Sequence, residues 1–222
     1  MRDNAAVSIR ELLSDLRVFD RPLPRFAPEE APPHPDSLFA SWLRQAVRDG
    51  VTEPHAMSLS TVDAGGLPDT RIVLLREIDD RGWQFSTDAE SAKGRQAADR
   101  PAAALGFYWR EQGRQVRVRG TLSRLDPETS RADFLSKSPG SRAASLAGRQ
   151  SAVLTDPAHL IQALADADEV IERDPRTIAG SHTVYAVVPV SVEFWQGDSR
   201  RRHVRLRYRK ERDTWHKELL WP

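Results

Sequence analysis

A chain of 222 residues is long enough for one domain of ordinary size, or a domain with an arm, to bury a real core. Its 33 Lys and Arg against 32 Asp and Glu leave a formal net charge of +1, which excludes a bulk attraction to nucleic acid or an acidic membrane, so any anion site must be local. The absence of Cys excludes disulfides, zinc–thiolate centres and thiol nucleophiles, and suits a reducing cytoplasm.

At the N-terminus, Met1 to Ala6 carries Asp3 and Asn4 where a signal peptide would have an apolar core, and no later stretch reaches the roughly 18 apolar residues of a membrane helix. A cytoplasmic location without membrane contact is therefore expected. A short amphipathic piece, Val7 to Val18, precedes Pro22, Pro24, Pro28, Pro32, Pro33 and Pro35. Prolines this dense forbid a continuous helix or central strand, so residues 1–35 read as a helix and an extended arm, and 36–222 as the main domain. Pro35-Asp36-Ser37 opens a helix to about Asp49, with Leu38, Phe39, Trp42, Leu43 and Ala46 at helical spacing and Gly50 as its stop; it should pack on a sheet.

From His55 the period changes to two. Strands are predicted at 55–62, 70–77 and 83–87, with Asp63-Ala64-Gly65-Gly66 and Asp79-Asp80-Arg81-Gly82 as turns, then a short helix at 91–98. Two more strands, 103–109 and 115–125, flank the polar turn 110–113. Asp126-Pro127 starts a helix to about Ser136; a second helical stretch lies between Ser141 and Gln150, and a third runs from Asp156 to Arg173 with Leu160, Leu164, Ala167 and Ile171 on one stripe. Strands at 184–190, 191–195, 204–209 and 214–219 finish the chain. The sum is an α+β fold, an antiparallel barrel with peripheral helices.

The clearest chemical pattern follows Arg201. With period two, Val204, Leu206 and Tyr208 share one face, and Arg201, His203, Arg205, Arg207 and Arg209 share the other. Such a column of cations is either a solvated strand face or a grip for phosphate or carboxylate, with His203 able to bind or relay a proton. Arg71 heads the apolar run Ile72-Val73-Leu74-Leu75, which closes on Arg76; this is either a plain buried strand or the edge of a site. Ser91-Ala92-Lys93-Gly94 offers a helix start plus a cation to an anion. Gln115, Gln150, Ser151 and Trp195 are open to either a capping or core role or contact with a ligand. The six histidines form no HExxH and no cluster in sequence, so no metal site is expected, and neither G-x-S-x-G nor G-x-G-x-x-G occurs.

Taken together, Arg71-Ile-Val-Leu-Leu-Arg76, Phe85-Ser-Thr87, Ser91-Ala-Lys93, Arg114-Gln-Val116, Arg149-Gln-Ser151, Glu193-Phe-Trp-Gln-Gly197 and His203-Val-Arg205-Leu-Arg-Tyr208 resemble the pyridoxamine 5′-phosphate oxidase family in order and spacing, from about Ser37 to Pro222. The resemblance implies a split β-barrel homodimer with FMN in clefts between subunits. It implies FMN contacts from Arg71, Ile72, Val73, Leu74, Ser86, Thr87, Lys93, Gln115, Gln150 and Ser151, with Trp195 and Arg205 closing the site from the facing subunit. Arg201 and His203 would contact the substrate as the catalytic pair, and Arg76, Lys137 and Ser141 would complete its pocket.

The chain also departs from the family pattern. Arg76 and Ala92 stand where the family has Lys and Arg, Val204 replaces an acidic residue, and the family's Arg-Arg-Glu-Tyr lid is absent from the arm. Asp133 and Lys137 stand where the family has Tyr and Arg on the substrate phosphate, and an Asp facing a phosphate would repel it. The arm leading to Pro35-Asp-Ser-Leu38, Thr52-Glu-Pro54, Phe85-Ser-Thr87, Lys93-Gly-Arg95 and Tyr108-Trp-Arg-Glu111 are similar to the phenazine-biosynthesis branch. The expectation is therefore an FMN-dependent oxidase that passes hydride from a reduced N-heterocyclic, phenazine-precursor-like substrate through FMN to O2, giving H2O2. Two alternatives stand beside it: a pyridoxamine/pyridoxine 5′-phosphate oxidase, and a non-catalytic flavin- or haem-binding split barrel.

Overall fold

The computed structural model describes residues 8–222; Met1 to Ala6, on which the signal-peptide expectation rests, and Val7 lie outside the described residues. The arm begins with a one-and-a-half-turn helix, α1 (Ile9–Ser14), closed by a capping box in which Ser8 and Glu11 exchange side-chain and backbone hydrogen bonds. From there to Pro35 the chain is extended apart from a 3-10 turn at Pro28–Glu30. It is tied to the barrel by two hydrogen bonds: buried Tyr208 Oη donates to the Pro32 carbonyl at 2.8 Å, and Lys217 Nζ to that of Ala31 at 2.6 Å.

Helix α2 (Pro35–Arg48) buries Leu38, Phe39, Trp42 and Ala46, the stripe its helical spacing dictates. Phe39 meets Trp83, Phe107 and Trp109 with ring centroids 4.5–5.9 Å apart, and Trp42 stands edge-on to Phe194 at 5.2 Å. Tilted and edge-to-face pairs of this kind add about 0.5–1.5 kcal/mol each beyond the area they bury. Arg114 lies under this cluster, 4.2 Å from the Trp42 ring and hydrogen-bonded to Gln196 and Gln45. Burial pushes its guanidinium down to about 10.

Nine strands form one curled antiparallel sheet, a split β-barrel: β1 (Ala56–Val62), β2 (Pro68–Leu74), β3 (Glu77–Asp79), β4 (Gly82–Asp88), β5 (Ala102–Trp109), β6 (Arg114–Arg124), β7 (His182–Gln196), β8 (Val204–Glu211) and β9 (Thr214–Leu219). The order is β2-β1-β5-β6-β7-β4-β3, with β8 also on β7 and β9 on β8. Helices α3 (Ala92–Asp99), α4 (Pro127–Leu135), α5 (Pro139–Ala147) and α6 (Pro157–Arg173) are insertions between strands. Among the described residues no helix is long and apolar enough to cross a membrane.

Four expectations needed correction. The strand predicted at 70–77 ends at Leu74, because Leu75 N–H turns to the His55 carbonyl and Arg76 N–H to that of Gln84. The two strands predicted at 184–190 and 191–195 are one 15-residue strand, β7. Pro189 does not break it, because a register shift beside Gly120 leaves Val190 without an opposite residue on β6 and absorbs the missing N–H. Helix α5 stops at Ala147, three residues before Gln150, and Gly148, Arg149 and Ser151 follow with positive φ. On α6 only the C-terminal part of the expected stripe is buried: Ala167 and Ile171 pack with Ala143 of α5, while Leu160 is 48% exposed.

The Gly120 position makes the bend testable. A Cβ there would fall 2.1 Å from the Val188 carbonyl oxygen and 2.8 Å from its carbon, both main-chain atoms. Gly120→Ala should therefore cost about 2–3 kcal/mol in urea unfolding. Gly140→Ala, with open space around it, should leave stability unchanged or slightly raised.

Candidate active site

A cleft of about 300 Å3 opens where β2, the end of β4, the start of α3 and the α5 C-terminus converge. It is lined by Ile72, Val73, Leu74, Arg76, Ser86, Thr87, Lys93, Lys137 and Gln150 among the residues singled out from sequence. Ile72 and Leu74 point away from the core and are 68% and 42% exposed, so this edge strand offers apolar surface to whatever fills the cleft. Beside them, Lys93 Nζ donates to Gln150 Oε1 at 2.7 Å, and Thr87 Oγ1 donates to the same oxygen at 3.3 Å. The loop carrying Gln150 is pinned to the start of α3 by Ala92 N–H donating to Ser151 Oγ at 3.2 Å.

Arg71 lies beside Lys93 but outside the cleft lining. Its guanidinium donates to Thr61 Oγ1 at 2.5 Å and Gln96 Oε1 at 3.1 Å, and pairs with Asp69. Lys93 is half-buried and its ammonium is held below the usual lysine range, first by burial and then by the Arg71 charge. Two cations side by side in a partly desolvated place are a seat for an anion.

A second charged group lines another part of the wall. Asp133 of α4 accepts from Arg76 Nε at 2.9 Å and lies 2.8 Å from His182 Nε2 and 3.5 Å from Lys137 Nζ; Lys137 also donates to Ser86 Oγ at 3.0 Å. Burial alone would raise the Asp133 carboxyl, but the His182 hydrogen bond, the Lys137 charge, Ser86 and the Arg76 charge outweigh it and hold the group well below the usual carboxylate range. This corrects the expectation that Asp133 faces a phosphate. The carboxylate is not part of the cleft lining, and with Arg76 and Lys137 against it the wall stays cationic. Ser141 is also outside the lining, occupied at the start of α5 with the Ser138 hydroxyl; Ser145, one turn on, lines the cleft instead.

The remaining candidates lie elsewhere, on one face of β6–β7–β8. Gln115 pairs with Trp195 and Trp195 with Arg205, while Val116, Phe194 and Leu206 face the core, as period two requires. The column of free cations is corrected in two respects. Arg201 and His203 precede the strand, which begins at Val204; Arg201 sits in a turn with φ of 64°. The strand arginines are engaged rather than free: Glu193 is shared by Arg205 at 2.8 Å and Arg117, and Glu218 by Arg207 at 2.6 Å and Arg209 at 3.1 Å. His203 Nδ1 accepts the Asp198 N–H at 3.0 Å, which puts the proton of the neutral ring on Nε2, and its ring lies 4.8 Å from Trp195 and 5.6 Å from Phe19 of the arm.

Sequence reasoning missed Asp88, Ser181 and His182, which also line the cleft. Asp88 and His182 are directly opposite in the β4–β7 register, so strand pairing was the signal needed.

Comparison with known proteins decides the family. The family model described as pyridoxamine 5′-phosphate oxidase matches residues 43–195, and that of the pyridoxine 5′-phosphate oxidase C-terminal dimerisation region matches 182–222. The chain belongs to the pyridoxamine 5′-phosphate oxidase family. Family members bind FMN, and the chain is an FMN-dependent oxidoreductase. It is 41% identical over 202 residues to a pyridoxine/pyridoxamine 5′-phosphate oxidase of Thermosynechococcus vestitus, covering 89% of this chain and 93% of the relative, and 42% identical over 205 residues to one of Hyphomonas neptunium, covering 91% of each. Among solved structures it is similar to PhzG from Burkholderia lata 383 in complex with tetrahydrophenazine-1-carboxylic acid, with a TM-score of 0.84 and 29% identity over 90% of this chain and 99% of that one.

The charge cluster sets a pH dependence. The folded state holds the Asp133 carboxyl below its usual 3.8, so the stabilisation is complete above that value and is lost as pH falls below it. Unfolding midpoints should therefore drop steeply from about pH 4 downward, and Asp133→Asn should flatten that acid limb, as read by thermal melts across pH.

Proposed function

We propose that this protein oxidises pyridoxamine or pyridoxine 5′-phosphate to pyridoxal 5′-phosphate. The observation that carries the reading is the presence of two cationic groups at one cleft, Lys93 with Arg71 beside it but outside the lining, and Arg76 with Lys137, for a reaction that needs two phosphates held at once. The residues fit FMN: Lys93 has no carboxylate within ion-pair distance among the described residues, and exposed Ile72 and Leu74 supply an apolar surface next to it. In this reading Lys93 and Arg71 take the cofactor phosphate, with Ser86, Thr87, Gln150 and Ser151 as polar contacts and Ile72, Val73 and Leu74 against the ring system. When bound, FMN supplies the two-electron acceptor for a substrate C–H and hands the electrons to dioxygen.

The protein's own part is positioning. Arg76 and Lys137 hold the substrate phosphate, and the apolar edge of β2 keeps the reacting carbon dry. Gln115, Trp195, Arg205, Arg201 and His203 lie on a different face of the same chain and share no cavity with the cleft. They serve the cleft of a second copy, in a homodimer for which the match to the dimerisation region gives support. There His203 offers its Nε2–H to the substrate, steadied by Trp195 and by the Asp198 N–H, and Arg201 adds a cation for the substrate's anionic group.

The relatives near 40% identity favour the B6 phosphates over the tricyclic substrate suggested by the motif pattern. The neutralised Asp133 removes the electrostatic objection to a phosphate. A second reading, oxidation of a reduced tricyclic carboxylate, draws on the similarity in shape to PhzG, since a carboxylate would suit the same cations. Purified protein loaded with FMN should form pyridoxal 5′-phosphate from pyridoxine 5′-phosphate with stoichiometric H2O2. Turnover of a dihydrophenazine carboxylate with none of the B6 phosphates would instead support the second reading.

A further inference from the structure

Asp133 stands behind the cleft, yet it touches three residues that line it: Arg76, Lys137 and His182. Its side chain is only 11% exposed, whereas that of Arg76 is 37% exposed and has one further contact, a 3.4 Å hydrogen bond to Ser136 Oγ. Asp133 Oδ1 takes the Nε–H of Arg76, which leaves Nη1 without a partner among the described residues. Lys137 spends one donor on Ser86 and approaches Asp133 Oδ2 at 3.5 Å, so it too keeps a donor free. His182, fixed by Oδ2 and packed edge-on to Phe134 at 5.2 Å, closes the far side of the carboxylate.

We propose that Asp133 is a positioning residue for the anionic group of the substrate, holding Arg76 and Lys137 on one wall with their remaining donors open to it. The inference rests on reading this cleft as the substrate site. Two effects oppose each other. Asp133 adds a negative charge that weakens the wall's attraction for an anion, and it also keeps two like charges together that would otherwise repel, with Arg76 free to swing into water. Because Asp133 is buried and already engaged while Arg76 has little else to hold it, the ordering effect dominates. The sign of the mutational effect therefore distinguishes the two.

The experiment compares FMN-loaded wild type, Asp133→Asn, Asp133→Glu, Lys137→Met and the Asp133→Asn/Lys137→Met double variant. KM and kcat are measured for pyridoxine 5′-phosphate, and Kd by calorimetry for pyridoxal 5′-phosphate. Asp133→Asn should raise KM and Kd by on the order of tenfold with kcat within about twofold and FMN affinity unchanged. Asp133→Glu should recover most of the loss, and the double variant should lose less than the product of the singles. If Asp133→Asn does not retain FMN, Asp133→Ser is measured in its place. An unchanged or lowered KM and Kd, or multiplicative effects with Lys137→Met, would overturn the proposal. Wild type that binds pyridoxal 5′-phosphate but turns over no B6 phosphate would contradict the proposed function alone, the ratio of Kd values still deciding the role of Asp133; wild type that does not bind it would overturn both.

Discussion

The architecture depends on one strand changing partners. Along one edge β7 pairs with β6 for nearly its whole length; along the other it pairs first with β4, from His182 to Val187, and then with β8, from Ser191 to Gln196. The switch falls at Val188 to Val190, where Pro189 has no N–H to give and Gly120 has no Cβ to obstruct the Val188 carbonyl. Without that bend the strand could not serve both halves of a split barrel, and a straight sheet would not curl around the aromatic core of Phe39, Trp83, Phe107 and Phe194.

The same switch separates the chemistry. The first half of β7 carries His182 to the cleft beside β4, and the second half carries Glu193 and Trp195 to the β6–β8 face. Under the proposed function a site needing both sets is assembled from two copies, a proposal that the match to a dimerisation region at residues 182–222 supports. Charge is arranged differently on the two sides. On the β6–β8 face each arginine of β8 is engaged by Glu193 or Glu218, which orders the strand. In the cleft, Lys93 has no carboxylate within ion-pair distance among the described residues and Arg76 and Lys137 share Asp133, which suits small anions rather than a neutral ligand.

Most of the fold was legible because its signals are local. The stripe Leu38, Phe39, Trp42, Ala46 could only be an amphipathic helix, and alternation in β1, β6 and β8 sorted core from exterior correctly. The merged β7 was not legible, since a proline reads as a strand end unless the opposing bulge is known. Exposure of Leu160 against burial of Ile171 depends on how far α5 reaches along α6, which no periodicity reports. For the site, Ile72 to Leu74, Thr87, Lys93 and Gln150 did converge. The partners that set their chemistry were non-local: Glu193 and Glu218 against the arginines, and His182 against Asp133, 49 residues apart. Asp133 alone reads as a repulsive charge, and only with His182, Arg76 and Lys137 around it does the wall become cationic.

The central claim, that one working site takes its parts from two copies of the chain, can be tested by complementation. Lys93→Ala would disable the cleft, and Arg201→Ala/His203→Ala would disable the other face. Each variant alone should be nearly inactive. After co-refolding in equal amounts, half the dimers should be mixed and carry one intact site of two, so activity should return to about a quarter of wild type. If the mixture stays as inactive as its components while mixed dimers form, the two sets act within one chain, and the shared-site account is contradicted.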